Sequence, residues 1–133
     1  MRRTSRTLFL LSLALAATLP AAKSWGAVTE DNFQLRNTAD LVALCTASQS
    51  DPFGTAAVNF CQGFSVGVTR VLQEEDAANA RKRPMFCLPA GGANRNQALA
   101  AFVSWASADP ARMNMPATDG LAAFLAAQYP CAR

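Results

Sequence analysis

The sequence predicts an all-α domain, a small bundle of about four helices held by two disulfides, and three observations predict it. Apolar residues recur at helical spacing in separate segments, Pro and Gly clusters part those segments, and nothing alternates with period two over a useful length. Cys45, Cys61, Cys87 and Cys131 all lie downstream of an N-terminal stretch that has the make-up of a secretory leader, so they are expected to meet an oxidising compartment.

Residues 1–24 carry that leader. Arg2, Arg3 and Arg6 supply a positive start, Leu8 to Leu19 is an almost unbroken apolar run, and Pro20 precedes small residues suited to cleavage near Trp25 to Ala27. The run falls well short of the roughly twenty residues that span a bilayer, so a cleaved Sec-type signal peptide is expected, with no stable membrane anchor afterwards. Its removal takes Arg2, Arg3, Arg6 and Lys23 from the twelve basic residues, and the formal charge passes from +3 to −1. A mature chain that close to neutral has no electrostatic footprint for nucleic acid. Arg81-Lys82-Arg83 follows Glu74-Glu75-Asp76 closely enough to be a solvated helix end. About 108 residues remain, enough for one small domain in which covalent staples matter.

Residues 25–37 form a polar arm in which Phe33 and Leu35 can pack. The helical domain, 38–133, follows. Helix one is expected over Thr38 to Ser48, capped by Thr38, with Asp40 in its first turn and Leu41, Leu44 and Cys45 at helical spacing. Ser50-Asp51-Pro52-Phe53-Gly54 is a turn cluster. From Thr55 to Ala80, Ala57, Phe60, Cys61, Phe64, Val68, Val71 and Leu72 describe one apolar stripe on the longest helix. Gly63 and Gly67 each cost about 1 kcal/mol in a helix interior, which suggests that another backbone packs closely there. Pro84, Pro89 and Gly91-Gly92 make 81–93 a loop pinned by Phe86, Cys87 and Leu88. Helix three, capped by Asn94 or Asn96, points Leu99, Phe102, Val103 and Ala106 inward and ends at Asp109-Pro110. The link Ala111 to Ala117 has an exposed composition and carries Met113 and Met115. A last helix, capped by Thr118 or Asp119, turns Leu121, Phe124, Leu125 and Gln128 or Tyr129 inward before Pro130.

Four cysteines allow three connectivities, which sequence alone does not settle, but helix geometry ranks them. Antiparallel packing through the short turn sets Cys45 and Cys61 at similar heights, at about 1.5 Å per residue. Cys87 and Cys131 then pair by default.

The chain has no histidine, which removes Cys-His and Ser-His-Asp chemistry. The cysteines lack a C-x-x-C knuckle for zinc, Glu74, Glu75 and Asp76 read as solvated charge, and Gly91-Gly92 is a turn pair outside any phosphate loop. No catalytic residue, metal site or cofactor is expected.

The blocks Asp40-Leu41-Val42-Ala43-Leu44-Cys45, Phe60-Cys61-Gln62-Gly63-Phe64-Ser65-Val66-Gly67-Val68 and Phe86-Cys87-Leu88-Pro89 resemble the Rap/Tai family of type VI secretion immunity proteins. Asp109-Pro110, Met115-Pro116-Ala117 and Tyr129-Pro130-Cys131 resemble that family's closing segment in the same order. Arg81-Lys82-Arg83 and Gly92-Ala93-Asn94 depart from its pattern. The resemblance implies a periplasmic helical protein, often a homodimer, that binds a peptidoglycan amidase effector and blocks its catalytic cleft. In that family an exposed loop enters the enzyme; the counterpart here is the link holding Arg112, Met113, Asn114 and Met115. Met and Arg suit interface cores, although the methionines can equally roof the core. A small helical disulfide-bonded chain also fits an HdeA-like periplasmic acid-stress chaperone or a helical adaptor with no toxin partner.

Overall fold

The computed structural model describes residues 26–79 and 81–132; the leader and its cleavage region lie outside them. A 3-10 turn, Glu30–Gln34, leads into α1 (Thr38–Cys45), α2 (Gly54–Ala78), α3 (Arg95–Ser107), α4 (Pro110–Met113) and α5 (Ala117–Gln128), and no strand occurs among the described residues. The all-α expectation holds. The fifth helix is a four-residue turn of helix inside the link between helix three and the last helix.

The helices assemble around α1, which touches all four others. Leu41, Val42 and Leu44 are completely buried there, and they meet Ala57 and Cys61 of α2, Phe102 and Ala106 of α3, and Leu121, Phe124 and Leu125 of α5. Full burial of each large side chain contributes about 1.5–3 kcal/mol. Phe102 and Phe124 meet edge to face with centroids 5.5 Å apart.

Asp40 binds the N-terminal arm to this core. Its carboxylate accepts hydrogen bonds from the Asn32 Nδ2 amide and the Arg36 N–H, each at 3.0 Å, and its own N–H donates to Asn37 Oδ1 at 3.0 Å. Asn37, not Thr38, is therefore the cap of α1. Thr38 is fully buried as the first helical residue, its N–H and hydroxyl both donating to the Met115 carbonyl at 2.8 and 3.1 Å. Within the arm Val28 is buried in the core, and Phe33 and Leu35 pack against it.

Helix α1 stops at Cys45, short of Ser48, because the Thr46 hydroxyl takes the Val42 carbonyl at 2.8 Å and Ser48 and Asp51 close a turn on each other. The turn sets α2 against α1, and the Cys45–Cys61 disulfide joins them. The second disulfide, Cys87–Cys131, ties the central loop to the chain end, reinforced by Cys87 N–H donating to the Tyr129 carbonyl at 2.8 Å. Both pairings agree with the ranking from helix geometry. Phe86 buries the same loop from within.

Several positions on α2 differ from expectation. Phe60 and Val71, expected to point inward, are 39% and 55% exposed. Gly63 and Gly67 are exposed as well, with nothing within 4 Å of where a Cβ would stand, so no backbone packs on them among the described residues. The close approaches lie at Gly54, against the Ser48 carbonyl, and at Gly120 of α5, against Thr38. Asn94 caps α3 by accepting from the Gln97 N–H at 3.1 Å, whereas α5 has no side-chain cap and starts from Pro116. Tyr129 is half-buried and Gln128 exposed.

Candidate functional site

The link between α3 and α5 is compactly folded. Asp109 Oδ1 accepts from the Ala111 N–H at 2.8 Å and Pro110 takes the first helical position, so α4 is capped at its start with no donor left over. Arg112 then folds back on α3. Its Nη1 donates to the Trp105 carbonyl at 2.8 Å, its guanidinium carbon stands 4.4 Å from the Trp105 ring centroid, and its Nε lies 3.7 Å from Asp109 Oδ2. Trp105 in turn leans on Phe124, with centroids 5.9 Å apart.

The four link residues therefore differ in what they present. Arg112 keeps 35% of its side chain exposed over the indole, a stacked pair of the kind worth about 0.5–1 kcal/mol at exposed sites. Met113 packs against the core and Met115 is half-buried, its carbonyl occupied by Thr38. Asn114 is exposed. A surface made from Arg112 and Asn114 is rigidly held, because α4 is fastened to α1 through Met115 and to α3 through Trp105.

Two more features flank α2. At about 100° per residue, Ala57, Cys61, Ser65, Val68 and Leu72 form the inward stripe, while Phe60, Gly67 and Val71 share the flank beside it. Phe33 meets Phe60 at 5.4 Å and Phe53 at 6.3 Å, centroid to centroid, so this flank carries an exposed aromatic group next to bare glycines. On the opposite flank, Thr69, Gln73 and Asp76 face the central loop and the start of α3 across a groove of about 970 Å³. Sequence periodicity gave no sign of this groove, which is made by α2, the central loop and α3 together with α5, some twenty residues or more further along the chain. The misassigned Phe60 and Val71 each lie one position from the true stripe, an offset that the wide apolar content of α2 conceals.

Residues 37–131 match the family model of the Rap1a immunity proteins. The chain belongs to the Rap1a immunity protein family. No curated protein and no solved structure matches it. Membership supports a type VI secretion immunity protein, an inhibitor that binds a cognate effector toxin, in place of an enzyme. The disulfides suit an oxidising compartment, and no helix among the described residues is long and apolar enough to cross a membrane.

Proposed function

We propose that the exported protein works in the periplasm, where it binds a peptidoglycan amidase effector and occludes its catalytic cleft. The family match over residues 37–131 carries this reading. The leader composition supports export, and the α3–α5 link supports the mode of binding. A surface already locked by the Arg112–Trp105 stack loses little side-chain freedom on docking, so more of its contact energy remains as affinity. Arg112 would offer its free N–H groups to the effector's polar rim and Asn114 would donate or accept beside it, while Met113 and Met115 hold α4 in place from below.

The aromatic and glycine-bearing flank of α2 supports a homodimer as the working form. Phe60 and Val71 lose apolar exposure there, and Gly63 and Gly67 let two helices approach closely.

The test is inhibition of peptidoglycan hydrolysis by the amidase encoded beside this protein. Asn114→Arg and Arg112→Glu, each with an unchanged helical spectrum, are expected to weaken inhibition by about tenfold or more, the equivalent of one charge-assisted contact. Undiminished inhibition by both variants removes the link from the contact surface. Failure of the unaltered protein to inhibit any co-encoded amidase overturns the choice of effector.

A further inference from the structure

We propose that the groove between α2, the central loop and α3 is a binding site for a single-chain anionic amphiphile of the fatty-acid carboxylate class, separate from the effector surface. Its accessible apolar wall is built from Val66, Leu88, Leu99 and Tyr129, backed by the buried rings of Phe86, Phe102 and Phe124. Its volume, about 970 Å³, lies at the upper end of the roughly 300–1,000 Å³ of small-molecule pockets. An acyl chain fits such a wall without leaving a polar group unpaired.

The rim fixes the charge of the head group. Arg70, Lys82 and Arg95 line the groove, and none of them forms an ion pair among the described residues. Asp76 is the acidic residue of the lining, and its Oδ2 already accepts the Met85 N–H at 2.9 Å. Anions are favoured at this mouth, and a carboxylate can take charge-assisted hydrogen bonds there.

The site is distinct from the α3–α5 link. Arg95, Ala98 and Leu99 belong to the first turns of α3, while Trp105 and Arg112 lie at and beyond its last turn. Ligand binding and effector inhibition can therefore be tested apart.

The experiment is calorimetric titration of the mature protein with dodecanoate below its micelle concentration, alongside a neutral octyl glucoside, a cationic dodecyl ammonium and a short peptide of alternating leucine and glutamate. Saturable binding of dodecanoate is expected, weaker by about tenfold or more in Lys82→Glu/Arg95→Glu, since two exposed rim charges are reversed without touching the core. Ala98→Phe, which fills the groove, is expected to abolish it while Cys87–Cys131 and the helical spectrum persist. Absence of saturable binding, equal affinity for the neutral or cationic detergent, or an unaffected charge-reversal variant overturns the proposal. Tighter binding of the acidic peptide also overturns it, in favour of a protein segment as the occupant.

Discussion

Where α1 crosses α5, Gly120 has no space for even a methyl group: a Cβ there collides with the Thr38 hydroxyl and comes within 3.1 Å of its Cβ and Cγ2. On the exposed flank of α2, a Cβ at Gly63 or Gly67 would meet nothing within 4 Å. The same residue type thus has opposite meanings in one small protein. At the α1–α5 seam glycine is a packing requirement, made strict because Thr38 is itself fully buried and fixed to the Met115 carbonyl. On the α2 flank glycine satisfies no contact among the described residues, and nothing there offsets its helix-weakening cost.

The largest expected effect comes from cutting the covalent ties that hold the closed side together. Replacing Cys87 and Cys131 by alanine opens a loop of 44 residues, against 16 for Cys45 and Cys61. Chain entropy then puts the losses at about 4 and 3 kcal/mol respectively, measured as the fall in unfolding free energy in urea. Equal losses, or a reversed order, mean that local packing around the α1–α2 turn outweighs loop length.

Next in size are the tight glycines. Gly54→Ala drives a Cβ into the Ser48 backbone carbonyl, which has no rotamer by which to yield, and Gly120→Ala drives one into Thr38. Each is expected to cost about 1–3 kcal/mol by overpacking, reversing the usual gain from glycine to alanine in a helix. Thr38→Ala removes both the hydroxyl and the methyl that Gly120→Ala meets. The double variant should therefore recover part of the loss, and a strictly additive double-mutant cycle shows that the seam is not where the clash is absorbed.

The closed side of this comparison was largely legible in the sequence. Leu41, Leu44, Phe102, Leu121 and Phe124 recur at helical spacing and all are buried, and the disulfide between α1 and α2 follows from their antiparallel turn. The seam was not. Gly120 lies among small residues, Ala117, Ala122 and Ala123, so nothing in its neighbourhood separates a packing glycine from an indifferent one. Gly63 and Gly67 were more conspicuous, one turn apart on an apolar helix, and suggested close packing that the folded chain does not make. The cap of α1 also moved by one residue, because Thr38 is drawn inward by Met115, a partner 77 residues away. Helical period reports which face is apolar. It cannot report which apolar face finds a partner, and the groove beside α3 and the stacking of Arg112 on Trp105 depend on such distant pairings.

The smallest effect is the most discriminating for the open side. Gly63→Ala and Gly67→Ala place methyl groups in open space within an α-helix, so each is expected to stabilise the isolated chain by about 1 kcal/mol in urea unfolding. If two copies meet across this flank, those methyl groups hold the helices apart. Sedimentation should then show weaker self-association in a protein that is individually more stable. A gain in stability with unchanged sedimentation would leave Phe60 and Val71 exposed on a face that the dimer does not use. A loss of stability in the monomer would mean that the flank is not open at all, and the contrast with the Thr38–Gly120 seam would fail at its weaker end.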